Sequence, residues 1–201
     1  MRRPSRQGEF DGLCGYYVTI NSAKRVAWLT NNECEDLSAT LQPLLNTVDV
    51  WKGCDVHKIE ELLEAAVEFC NNARPAYVFR CTKLKGLTGK SFKALLTKEL
   101  ERGCVFVVGV SGKIDHWTVV TEATKNTLRI FDSSNDPNDT WNWKWDYVQF
   151  ERNKILLPAA KSGAERYWIN LDEVFRFWKV RKTKKTIKKT TKKSTKRTRS
   201  E

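Results

Sequence analysis

Histidine is scarce in this chain, long apolar runs are missing, and no two cysteines stand in CxxC spacing. Each shortage removes a class of protein. Two histidines in 201 residues leave little material for a histidine-rich metal centre. No apolar stretch approaches the roughly 18 residues that a membrane span needs. Met1-Arg2-Arg3 is followed by polar sequence through Gly12 rather than an apolar segment, so no secretory signal is expected. The 6 cysteines (14, 34, 54, 70, 81 and 104) are scattered, unlike the dense framework of a small secreted scaffold. Cys54 and His57 are the one pair at ligand-like spacing, and no second close pair completes a zinc site. A reduced, cytoplasmic protein without a metal or other cofactor is the expectation.

Charge surplus is missing too, from most of the chain. The net charge of +12 lies almost wholly in the last residues. From Lys179 onward there are twelve Lys or Arg against Glu201 alone, whereas residues 1 to 178 are nearly balanced. The tail is rich in Lys and Thr, with Val180 and Ile187 its only apolar residues. It cannot bury enough surface to offset chain entropy. The expected organisation is therefore one domain over 1–178 and a disordered basic tail over 179–201. Such a tail fits non-specific DNA or RNA attachment through phosphates, with an anionic membrane surface ranked second. Solubility alone is the bland reading of the same charges.

The body, by contrast, is rich in core-forming residues: 40% hydrophobic, with 8 Trp. Asp11-Gly12 is an N-cap signal for a helix over Leu13 to Trp28, with Tyr16, Ile20, Ala23 and Ala27 on one face. Further helices are expected over 37–45, 58–70 and 88–102, and a short strand at Tyr77-Val78-Phe79. Cys104 to Val110 reads as a strand buried on both faces. His116–Glu122 and Thr127–Asp132 read as a hairpin turning at 123–126. Trp141, Trp143 and Trp145 alternate with polar residues, which puts three indoles on one strand face. That face is either core or an exposed platform for a peptide or for bases, with Asp146 at its rim. Candidate late strands lie at 155–157 and 167–169, and 171–178 is a short helix or strand. Helices first and strands later make an α+β domain.

Three residues carry the candidate chemistry. Cys14 stands at a helix start, where backbone amides favour a thiolate, and Gly15 beside it leaves the sulfur approachable. His116 begins one strand of the hairpin and Asp132 ends the other. With no bulge, the register places these two directly opposite, within reach of a carboxylate–imidazole hydrogen bond. A carboxylate there orients the ring and stabilises the imidazolium.

These motifs resemble the papain-like cysteine peptidase superfamily. The likeness rests on Cys14-Gly15 at a helix start, on Gly103 and Gly109-Val110 bracketing a strand, on His116-Trp117-Thr118-Val119-Val120, and on Asp132 at a strand end. The branch most similar is that of bacterial double-glycine leader peptidases, and the likeness spans residues 7 to 134. It implies a helical N-terminal half packed on a C-terminal antiparallel sheet. It also implies a Cys14–His116–Asp132 triad and a glutamine in the oxyanion hole, a place that falls to Gln7. Gly15 and Trp117 are candidate substrate-site residues, joined by Trp143 of the aromatic strand, which lies outside the likeness. A protein or peptide substrate is expected, joined by a peptide or isopeptide bond. Acyl transfer through the same triad, or a silent scaffold bound to nucleic acid, are the alternatives.

Overall fold

The computed structural model describes residues 13–47, 54–112, 115–131, 141–157 and 167–183. Helices come first: α1 (Cys14–Ala27), α2 (Asn31–Leu41) and α3 (Val56–Ala73). Strand β1 (Tyr77–Lys83) precedes α4 (Gly89–Leu100). Strands β2 (Val105–Ser111), β3 (His116–Ala123), β4 (Thr127–Phe131) and β5 (Trp141–Lys144) follow. The order closes with β6 (Gln149–Phe150), β7 (Lys154–Leu156) and the long β8 (Trp168–Arg181). All pairs are antiparallel, in the order β5-β4-β3-β2-β8-β7-β6, with β1 added to β8. The mixed helix-and-sheet class expected from the sequence is what the chain adopts. Among the described residues no helix is long and apolar enough to cross a membrane.

The sheet is covered on both faces, and β2 shows why its sequence is apolar up to its last residue. Val105 and Val107 pack with α1, α2 and α3, together with Trp117, Val119 and Phe175. Phe106, Val108 and Val110 pack with Phe92 and Leu96 of α4, together with Val120, Leu128 and Ile130. Strict alternation sends the side chains from Val105 to Val110 to one of two cores, and the one polar residue, Ser111, stands at the strand's end. The helices are therefore not all on one side; α4 lies across the sheet from the other three. It is tied there by Glu99, whose carboxylate takes Arg176 of β8 and Arg102.

Four expectations need correction. Helix α1 begins at Leu13 as N-cap, with no side-chain cap bond; Asp11 and Gly12 lie outside the described residues. Helix α2 starts at Asn31 rather than residue 37. Thr30 accepts the Glu33 N–H at 3.3 Å and Glu33 accepts the Thr30 N–H at 2.8 Å, a reciprocal capping box that nucleates the first turn. Trp145 leaves the strand and opens a 3-10 turn (Trp145–Tyr147), buried, with its indole donating to the Thr124 carbonyl at 2.9 Å.

The fourth correction concerns the tail. Strand β8 does not stop at residue 178: Lys179, Val180 and Arg181 pair with Phe79, Val78 and Tyr77. Lys179 sits over the Trp28 ring and 5.3 Å from the Tyr77 centroid, and donates to the Val26 carbonyl at 2.6 Å. An ammonium held by two rings and a carbonyl is a structural fastener despite its place in a basic run. The folded body thus reaches at least Lys182, whose N–H donates to the Ala76 carbonyl at 3.0 Å; residues 184–201 lie outside the described chain.

Candidate active site

Cys14 is the first residue of α1 and is 5% exposed. Gly15 behind it does not open the site, as the sequence suggested. A Cβ there would lie 2.7 Å from the Cys54 Cβ, 2.9 Å from its sulfur and 3.2 Å from Ile59 Cδ1. Glycine is required because Cys54 fills the space. The Gly15 N–H donates toward the Cys54 sulfur, while burial and then the neighbouring Cys14 push that thiol up to about 12. Cys54 is a packed thiol beside Cys14 rather than a rival nucleophile.

Cys54 also meets the other half of the site. The Trp117 indole, 6% exposed, donates to the Cys54 carbonyl at 2.7 Å. The next residue, Asp55, caps α3 by accepting the Lys58 N–H at 2.8 Å. One short segment therefore joins the start of α1 to the start of β3 and is itself anchored to α3. Gly15 and Trp117 both take part in this internal joint.

The far ends of the two elements agree with the near ends. Arg25, late in α1, donates to the Thr121 carbonyl of β3 at 3.5 Å. From Arg25 back to Cys14 a helix rises about 16 Å. From Thr121 back to His116 a strand rises about 16 Å. Helix and strand run side by side in the same direction, which sets Cys14 and His116 at the same end of the sheet.

Side matters as well as level. His116 pairs with Val110, which belongs to the α4 core, whereas Trp117 and its partner Gly109 lie on the α1 side. His116 is the first residue of β3 and so stands at the end of that strand. The hairpin register also departs from expectation. Phe131 pairs with Val119, not Trp117, and the ladder slips between Val120 and Glu122. Ala123 lies opposite Leu128, so the hairpin turns between Lys125 and Asn126; the bulge at Thr121 offsets only one residue of that shift, and the direct opposition argument for His116 and residue 132 fails. Asp132 and Gln7 lie outside the described residues. Trp143 pairs through its backbone with Leu128, and Leu128 belongs to the α4 core.

A further acid at this end escaped the sequence reading. The β2–β8 ladder slips between Val108 and Gly109, and Glu173 rides over Gly109: a Cβ at Gly109 would lie 3.1 Å from Glu173 Cβ. Burial and then Asp115, the residue before His116, hold the Glu173 carboxyl above its usual range. A glycine inside an otherwise bulky apolar run was the available signal of such a close approach. For Cys54 there was no local signal.

Comparison with protein-family models, with curated proteins and with solved structures found no match to this chain. The residues and the fold themselves therefore carry the functional reading.

Proposed function

We propose that the chain is a thiol-dependent hydrolase of papain-like type, with Cys14 as nucleophile, His116 as its base and Asp132 as the group that orients the ring. The observation that supports it is the joint at Cys54, which together with the Arg25–Thr121 contact levels the starts of α1 and β3. In the proposed cycle, His116 takes the Cys14 proton and the sulfur attacks an amide carbonyl. The Cys14 N–H and Gln7 hold the oxyanion. His116 then gives its proton to the leaving amine, and water releases the acyl group. Interception by an amine instead makes the same site an acyl transferase.

A protein or peptide is the proposed substrate and the cytoplasm the proposed location. Residues 184–201, with nine Lys or Arg against Glu201, are the proposed nucleic-acid attachment. Labelling with electrophilic peptide and modifier-tail probes tests the enzyme reading. Covalent adduct on the wild type and none on Cys14→Ala supports it; equal labelling of both ends it.

A second reading is favoured by the ladder position of His116. A scaffold in which the imidazole stays on the α4 side would bind partners without cutting them. It predicts no probe adduct and an intact fold in His116→Ala.

A further inference from the structure

The α4 face of the molecule carries a groove of about 730 Å3, on the opposite side of the sheet from the Cys14 core. One wall is the outer face of α4: Lys90, Lys93, Thr97 and Lys98, at the helical spacing that puts them on one side. The other wall is the β3–β4 turn at Lys125 and Asn126, with Phe150. Glu101 and Asp146 are the acids that line it, so cations outnumber them two to one.

Five basic groups of the fold are matched by an acid, and those of the groove are not among them. Lys58, Arg74, Arg102, Arg129 and Arg176 each meet a carboxylate. Among the described residues, none of Lys90, Lys93, Lys98 and Lys125 is in an ion pair. Lys93 instead lies 4.8 Å from the Trp145 ring centroid, and its ammonium remains available to an anion.

The walls are also firmly built. Trp145 holds the turn twice, through its indole to the Thr124 carbonyl at 2.9 Å and its N–H to the Asn126 carbonyl at 2.9 Å. Phe150 stacks on Trp145 with centroids 6.1 Å apart and planes at 23°. Its ring also presses on the start of α4, where a Cβ on Gly89 would have no room. Yet Phe150 keeps 38% of its surface exposed, and Tyr147, on the same short segment, keeps 65%.

We infer that this groove binds a single-stranded nucleic acid, its phosphates on Lys90, Lys93, Lys98 and Lys125 and a base against Phe150. Lys90 to Lys98 rises about 12 Å along the helix, a line of cations that suits a run of phosphates better than one isolated anion. An exposed, immobilised ring beside the line gives bases a surface to stack on, which an acidic peptide does not use. The inference is independent of the thiol chemistry and of the basic tail.

The test is fluorescence anisotropy of a labelled single-stranded DNA oligonucleotide over a salt series, with the full chain. Each phosphate neutralised on a single strand adds about 0.7 to the slope of log K against log salt. Replacing all four lysines by Gln should lower that slope by about 3 and weaken binding on the order of a hundredfold near 0.1 M salt. Phe150→Leu, which keeps apolar contact with Gly89, should cost about fivefold or more with the slope unchanged. Near-UV circular dichroism confirms that both variants are folded. An unchanged slope in the folded quadruple variant overturns the inference. So does a poly-glutamate peptide of matched charge that competes as well as the oligonucleotide, because the partner would then be an acidic protein.

Discussion

Replacing Gly15 by Ala puts the most stringent strain on the joint beneath Cys14. The added methyl would meet the Cys54 Cβ at 2.7 Å and its sulfur at 2.9 Å, whereas carbon contacts settle near about 3.5–4.0 Å. Something must move by most of an ångström. Cys54 is poorly placed to yield: its carbonyl is fixed by the Trp117 indole and the following residue caps α3. Overpacking of this kind costs about 1–3 kcal/mol. Alanine returns up to about 1 kcal/mol of helix propensity, and less in a first turn. The net expectation is a loss of about 1–2 kcal/mol, read as a lower urea midpoint by tryptophan fluorescence. The Cys54→Gly change removes the two nearest obstacles, so the double variant should cost less than the sum of its parts by about 1 kcal/mol. A Gly15→Ala protein as stable as the wild type, or more so, would show that Cys54 does not fill this space, and the joint would be refuted.

Three other outcomes follow from the same contacts. Trp117→Phe leaves the buried Cys54 carbonyl without its donor and should cost about 1–3 kcal/mol in chemical denaturation, while slowing Cys14 alkylation. Truncation after Thr183 should leave the melting temperature unchanged, whereas truncation after Trp178 removes three ladder residues and Lys179 from its rings, costing about 2–4 kcal/mol by calorimetry. The Glu33 carboxyl is held at about 2 against an ordinary 4.5, first by the Arg74 side chain and then by the Thr30 N–H. Because its folded value is depressed, the stabilisation is present above about pH 4.5 and disappears as pH falls toward 2. Solvent screening at this part-exposed pair reduces it to about 1 kcal/mol. Glu33→Gln should remove that part of the acid sensitivity in pH-dependent denaturation.

What could be read from the sequence was whatever depended on local period. Ile59, Leu62, Leu63 and Ala66 mark α3 because helical spacing puts all four in one core. Strand β2 was legible because two cores demand apolar residues from Val105 to Val110. The start of α2 was written in Thr30 and Glu33 but is easily passed over, since Leu37 is the first fully buried aliphatic residue of that helix. The hairpin could be recognised, but its register could not: the turn is centred between Lys125 and Asn126, with Ala123 opposite Leu128, and the slip at Thr121 only partly offsets that shift. Lys179 was assigned to the tail on composition, which is blind to the rings of Trp28 and Tyr77. Cys54 shows the deeper limit. Its place between Gly15 and Trp117 joins residues far apart in the chain, and no spacing rule reports such a contact.

Thiol reactivity tests the central claim most directly. Burial holds the thiols of Cys54, Cys70 and Cys81 up to about 12 and raises that of Cys104 as well. At pH 8, a thiol at about 12 is ionised to only about one part in ten thousand. Iodoacetamide modification of the folded protein, mapped by peptide mass spectrometry over time, should find Cys14 ahead of these four, and His116→Ala should slow that site alone. Modification of Cys14 at the pace of the buried thiols, or at an unchanged rate in folded His116→Ala, would contradict a nucleophile at the start of α1 served by the base at the start of β3.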